Sequence, residues 1–284
     1  MNRIIPRLDV KGSNLVKGIH LEGLRILGPI EPFAEYYYTH GADELIYVDA
    51  VASLYDRNSL KEIIYNTSKN INIPLCVCGG LRNLKDMEAV LKAGADKVGI
   101  NTAAIKRPEL ITEAAYEFGS STIVINIEAA TTPGGVTECF IDNGRQKTGK
   151  DVFNWAIQVQ ELGAGEILLT SVDNEGTGGG FDIELTKSIA NQMEIPVIAC
   201  GGAGNKNDVE SVFKKGCADA VSIASILHYK SLKELDLKDL KDMAIGVMAD
   251  SMNSENRIDS ISIEDLKSFL FGCDIDVRMI NKTD

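Results

Sequence analysis

Residues 73–94 read IPLCVCGGLRNLKDMEAVLKAG and residues 195–216 read IPVIACGGAGNKNDVESVFKKG, with half of the positions identical, including Gly79-Gly80 and Gly201-Gly202. Each stretch is a short apolar run, a glycine pair and then apolar residues at helical spacing, as in Leu84, Met87, Val90 and Leu91. The likeness extends outward in both directions. Downstream, DKVGINTAAI from Asp96 parallels DAVSIASIL from Asp219 after a one-residue slip. Upstream, GADELIYV from Gly41 parallels GAGEILLT from Gly163, and RIIPRLDV from Arg3 can be laid on TIVINIEA from Thr122. A repeat of about 120 residues is too long for a solenoid unit and reads as a duplicated half-domain.

Each half carries four apolar runs alternating with helical patterns. The expected strands are 4–9, 44–49, 74–78, 97–100, 122–128, 166–170, 196–200 and 220–224. Strict strand–helix alternation implies parallel strands, right-handed crossovers and helices on the outside. Eight such units close into a (β/α)8 TIM barrel. An open doubly wound sheet is the alternative, and the equal division into two half-barrels favours closure. The whole of 1–284 is expected to be one barrel, with an extra helical and polar insertion at 230–262 before the last helix.

Composition excludes several classes. The 284 residues are 44% hydrophobic and 25% charged, which removes disordered, collagen-like and disulfide-scaffold chains. Twenty-nine Lys and Arg against 41 Asp and Glu give a net charge of −12, so no nucleic-acid partner is expected. No apolar run is long enough to span a bilayer and no export signal is visible, so the expectation is a soluble, cytoplasmic protein that binds no membrane. Its six cysteines are then reduced thiols.

In this fold the chemistry sits at the C-terminal ends of the strands. The first strand ends in Asp9, and its repeat mate ends in Glu128. An acidic residue more often caps a helix or pairs with lysine, but symmetric placement on one barrel mouth favours an acid–base pair. The two glycine pairs each follow a strand and precede a helix, and Asn101-Thr102 and Ala224-Ser225 follow the next strand of each half. Glycine admits backbone amides close to a phosphate, and helix N-termini add unpaired N–H donors. Two such sites related by the repeat suggest a substrate with a phosphate at both ends. At the opposite end, Arg3, Glu44, Lys97 and Glu166 begin the first, second, fourth and sixth strands. Charges there are ordinarily a solvated rim; four of alternating sign could instead form a salt-bridged floor that serves as a gate or docking surface.

Those segments, with LVKGIHLEGLR and GAGEILLTSVDNEGT, give the chain a resemblance to the cyclase subunit of imidazole glycerol phosphate synthase, the HisF type of barrel, from Arg3 to His228 and again near the C-terminus. The resemblance implies a heterodimer with a glutaminase subunit, whose ammonia passes through the barrel floor to attack a bisphosphorylated open-chain ribonucleotide. The products are imidazole glycerol phosphate and an aminoimidazole carboxamide ribotide. It further implies Asp9 and Glu128 as acid and base, the latter where the family has Asp, and Lys17 as a mobile active-site lysine. It matches Gly80, Asn101 and Thr102 to one phosphate, and Gly176, Gly202, Ala224 and Ser225 to the other; Thr177, in a flexible loop near that second end, is expected among the phosphate-binding residues as well. Arg3, Glu44, Lys97 and Glu166 match the ammonia gate, and Asp96 falls at the glutaminase contact. No cofactor is implied.

The upper site departs from that pattern. Arg7 replaces a residue that is usually Cys; two positions from Asp9, it shares a strand face with it, and a guanidinium in reach would make that carboxylate a poorer general acid. Asn126, Glu175, Cys76 and Cys78 are further departures. Cys76 and Cys78 have no His or Cys set at ligand spacing, so no metal is expected. His20, His40 and His228 have no motif partners, and 12–32 reads as a lid. The departures leave three readings: a tuned cyclase; a paralogue supplying ammonia for amidation of a surface-polysaccharide sugar; and a non-catalytic barrel that activates a glutaminase.

Overall fold

The computed structural model describes residues 1–50, 60–235 and 258–279. Its strands, in chain order, are β1 (Arg3–Lys11), β2 (Asn14–Ile19), β3 (Glu22–Pro29), β4 (Leu45–Asp49), β5 (Leu75–Cys78) and β6 (Lys97–Ile100). Then come β7 (Ile123–Thr131), β8 (Thr137–Ile141), β9 (Gln146–Asp151), β10 (Glu166–Ser171), β11 (Val197–Cys200) and β12 (Ala220–Ile223). The helices are α1 (Ile30–Thr39), α2 (Lys61–Asn70), α3 (Leu84–Lys92), α4 (Thr102–Lys106) and α5 (Glu109–Phe118), followed by α6 (Val152–Glu161), α7 (Ile183–Ala190), α8 (Lys206–Lys214), α9 (Ser225–Glu234) and α10 (Ile263–Gly272).

Parallel pairing runs β1–β4–β5–β6–β7–β10–β11–β12 and returns from β12 to β1, so the sheet closes on itself. This is the (β/α)8 barrel read from the repeat. Expected and observed strands agree to within a residue or two at most ends. Pro74 and Pro196, expected as first strand residues, lie just outside: each carbonyl accepts from the neighbouring strand, at 2.9 Å from Leu45 N and 3.0 Å from Ile167 N, but proline has no N–H to return. Three aspartates tie strand starts together, with Asp43, Asp96 and Asp219 accepting from the backbone of Ile4, Leu75 and Val197 at 2.8–2.9 Å.

Alternation along the strands sorts the side chains into two cores. Ile5, Ile46, Val48, Cys76, Cys78, Val124, Leu168, Ile198, Cys200 and Ala220 fill the lumen, while residues such as Ile4, Leu8, Leu45, Val77 and Val221 pack outward against the helices. Gly99 is required in the lumen, because a Cβ there would collide with Cys78 Sγ. The repeated helices α3 and α8 begin alike, at Asn83 and Asn205, whose side chains accept from Asp86 N and Asp208 N; α8 completes a reciprocal capping box.

Two hairpins extend this frame. β2 and β3 stand on the end of β1, with Asp9 opposite Val16, and β8 and β9 stand on the end of β7, with Glu128 opposite Phe140. The 12–32 segment expected as a lid is therefore mostly an antiparallel hairpin. Most of the extra segment expected at 230–262 lies outside the described residues; α10 follows it and buries Ile263, Leu266 and Leu270 in the outer core.

Candidate active site

Asp9 and Glu128 lie at the C-terminal ends of repeat-related strands, both buried, each facing the lumen. Arg7, Lys17 and Glu175 are buried as well, giving five buried ionisable groups at this end of the barrel. Arg7 Nε donates to Asp9 Oδ1 at 2.9 Å, as the shared strand face predicts. Its Nη1 reaches across the lumen to Cys200 Sγ at 3.3 Å and Thr170 Oγ1 at 3.5 Å. Burial disfavours the Arg7 charge, but Asp9, Cys200 and Glu175 more than restore it, so the guanidinium titrates well above its ordinary value.

Glu128 is held differently. Gly144 N donates to Oε2 at 2.8 Å and Asn126 Nδ2 to Oε1 at 3.3 Å. Burial pushes its carboxyl above the ordinary range, and the Gly144 N–H and the Arg7 charge only partly offset that. Glu175 goes the other way. Burial alone would raise it, yet Lys17, whose Nζ lies 3.0 Å from Oε1, and Arg7 bring it below the ordinary range. Environment thus separates the buried carboxyls into one biased toward its acid form and others held by cations, which acid–base chemistry requires.

Gly80, Asn101 and Thr102 line one cavity of about 490 Å³ that also reaches Asn126, Glu128 and Asp142. The β8–β9 turn braces it: Asn101 Nδ2 donates to Phe140 O at 3.0 Å and Asp142 N to Thr102 Oγ1 at 3.1 Å. The second cradle is almost filled. Gly176, Gly202, Ala224 and Ser225 line a space of about 10 Å³ together with Arg7, Glu175 and Ser222. Gly202 has φ +107, and a Cβ there would collide with Gly180 O, so only glycine lets the two loops approach this closely. Thr177 is not part of that lining; its hydroxyl donates to Asn174 O at 2.7 Å within its own turn.

The β2–β3 hairpin packs against the loop that carries Glu175. Its tip, with His20 and Leu21 at positive φ, is pinned by His20 N to Glu175 O at 2.8 Å and by Asn143 Nδ2 to Leu21 O at 3.0 Å. Lys17 is carried inward and also donates to Gly18 O. His20 stays exposed, its Nδ1 2.9 Å from Val172 O. His228, which has no partner visible in the sequence, is fully buried against Tyr37 OH at 2.6 Å; burial lowers it to about 3, so the ring is neutral.

At the other end of the lumen, Arg3, Glu44, Lys97 and Glu166 form a closed ring. Arg3 bonds Glu44 and Glu166, and Lys97 bonds the same two, each at 2.9 Å. Burial pushes the Glu44 carboxyl up against the pull of Lys97, and its Oε1 has no partner among the described residues. Asp96 is exposed on this face, with Oδ2 taken by Leu75 N. Cys76 and Cys78 face the lumen 3.9 Å apart, and among the described residues no group of three or more His, Cys, Asp or Glu is set to hold a metal.

A floor ring, two rim carboxyls and paired glycine cradles on one barrel can be set against known proteins. The model of the histidine biosynthesis protein family matches residues 3–233. The chain belongs to that family. It is 55% identical over 202 residues to the imidazole glycerol phosphate synthase subunit HisF of Legionella pneumophila, covering 71% of this chain and 95% of that one. It is 45% identical over 241 residues to the subunit of the same name from Prochlorococcus marinus (strain AS9601), covering 84% and 93%. With that of Trichormus variabilis it shares 42% over 251 residues, covering 86% and 97%. The matched span of the histidine biosynthesis family holds every site residue described above, from Arg3 to Ser225, and leaves α10 outside.

The β8–β9 hairpin is the part of the site that sequence reasoning missed. It places Phe140, Asp142 and Gly144 against Asn101, Thr102 and Glu128. Its one local signal is Asp142-Asn143-Gly144, a run suited to positive φ, and all three adopt it.

Proposed function

We propose that this HisF-type barrel is the cyclase subunit of an imidazole glycerol phosphate synthase, a carbon–nitrogen lyase of histidine biosynthesis working in the cytoplasm with a glutaminase subunit. Ammonia released by that partner enters through the ring of Arg3, Glu44, Lys97 and Glu166, where the unpartnered Glu44 oxygen offers it an acceptor. Asp96, on the same face, contributes to the partner contact. The bisphosphorylated ribonucleotide spans the rim, one phosphate on Gly80, Asn101 and Thr102 and the other on Gly176, Gly202, Ala224 and Ser225. Lys17 follows the hairpin and orients the substrate.

Ring formation with C–N cleavage needs one group to take a proton from the incoming nitrogen and another to hand one to the departing amine. Glu128, raised by burial, suits the donor; Asp9, ion-paired to Arg7, suits the acceptor. The observation that carries this reading is the pair of buried carboxyls on repeat-related strands above a closed charge ring. Relatives named for this synthase support it over the sugar-amidation and non-catalytic readings. The test is to incubate the purified chain with the bisphosphorylated substrate and ammonium salt. Imidazole glycerol phosphate is expected, and glutamine should replace ammonium once the glutaminase is added. Absence of product under both conditions would refute the proposal.

A further inference from the structure

We infer that Arg7 is a substrate-binding residue: its guanidinium and the Ser222 hydroxyl take the terminal phosphate at the second cradle, in addition to the backbone amides there. This deepens the proposed function and rests on it.

Arg7 rises from β1 and crosses the lumen to β10 and β11. Thr170 and Cys200 are register neighbours, and Cys200 is in turn the neighbour of Ser222 on β12. Arg7 and Ser222 both line the small space bounded by Gly202, Ala224 and Ser225. Two features leave that space chemically incomplete. Ser222 is 2% exposed and its Oγ has no partner among the described residues, although a buried hydroxyl in a folded protein is normally paired. Arg7 has five N–H donors, yet its side-chain hydrogen bonds among the described residues, besides that to Asp9, are to a thiol, which is a weak acceptor, and to a hydroxyl at 3.5 Å, the outer limit of a hydrogen bond.

A phosphate monoester supplies what both lack. Its oxygens match the guanidinium fork, accept from the serine hydroxyl and sit on the N-terminus of α9. The present space of about 10 Å³ has room for about one water, so the phosphate enters as Glu175 and Lys17, paired at 3.0 Å, draw back with the hairpin. Because Nε already holds Asp9, the same guanidinium then links the seated phosphate to the carboxylate that acts on the reacting nitrogen. This chain would depend on a phosphate at that end more strongly than backbone amides alone require.

The test uses the full-length chain with saturating ammonium salt, the bisphosphorylated substrate, and two monophosphorylated analogues that each lack one terminal phosphate. Arg7→Met should raise KM for the bisphosphate about tenfold or more, the scale of a charge-assisted hydrogen bond. Arg7→Lys, which keeps the charge but not the fork, should fall between. Ser222→Ala should raise KM severalfold and covers the case in which Arg7→Met fails to fold, as judged by circular dichroism. With the analogue that lacks the phosphate Arg7 binds, and only with that one, the KM penalty of Arg7→Met should vanish, whatever the loss of its Asp9 contact does to kcat. An unchanged KM for the bisphosphate, or an equal penalty with both analogues, would overturn the inference. If wild type turns over nothing, the functional reading fails separately, and calorimetric titration with inorganic phosphate decides for Arg7. Loss of one phosphate site in Arg7→Met and Ser222→Ala supports the inference; unchanged stoichiometry and affinity overturn it.

Discussion

Shortening Glu128 to aspartate keeps the charge and removes one methylene, drawing the carboxyl back by about 1.5 Å along the C–C bond. In the native site Oε2 accepts from Gly144 N at 2.8 Å and Oε1 from Asn126 Nδ2 at 3.3 Å. A withdrawal of that size takes both contacts past hydrogen-bond length. A bond from a backbone N–H to a carboxylate contributes about 1.5–3 kcal/mol, and a misplacement of about 1 Å at a reacting group costs roughly a hundredfold in rate. Glu128→Asp should therefore lower kcat about a hundredfold while leaving KM for the bisphosphorylated substrate near wild type. Glu128→Gln, which keeps the length and loses the proton, should fall at least as far, within the roughly 100- to 10,000-fold range of a lost general acid. Ammonium-driven turnover, followed by product formation, measures both. If Glu128→Asp retains kcat within a few-fold of wild type, the β8–β9 hairpin does not set the reach of the acid and the reasoning fails.

The two glutamates should give opposite stability profiles. Glu175 is held below the ordinary carboxylate range, so its contribution is present at neutral pH and is lost as pH falls through its folded value. Glu175→Gln should cost about 3 kcal/mol at pH 7, because Lys17 is left buried and unpaired, and denaturant titration should show the deficit shrinking in acid. Glu128 is raised, so its ionisation costs stability above the ordinary range; Glu128→Gln should unfold at higher denaturant than wild type at pH 7, with the gain disappearing as pH falls into that range. Lys97→Met opens the floor ring and should cut glutamine-dependent turnover by about tenfold, roughly 1.4 kcal/mol, while ammonium-dependent turnover falls less. Gly202→Ala forces a Cβ against Gly180 O at positive φ and should cost about 1–3 kcal/mol in thermal unfolding.

The repeat made the barrel legible because each half writes strand, glycine pair and capped helix in the same order, and a closed parallel sheet exposes only strand ends to functional side chains. Asp9, Glu128 and the floor charges could be read from those ends. Arg7 could be placed beside Asp9 by strand alternation alone. The hairpins could not. The segment QKTGKD of β9 has no apolar alternation and pairs only with β8, so it buries too little to leave a pattern. Partnerships between distant residues were equally hidden: Lys17 and Glu175 are 158 residues apart, and Tyr37 and His228 are 191. Proximity of that kind is set by barrel closure, not by local sequence.

The proposed function turns on the two rim carboxyls doing the proton chemistry. The most direct measurement is the rate of imidazole glycerol phosphate formation, with saturating substrate and ammonium salt, by Asp9→Asn and Glu128→Gln proteins shown to be folded. Each should be slower than wild type by about a hundredfold or more; wild-type turnover by either carboxamide variant would contradict the claim.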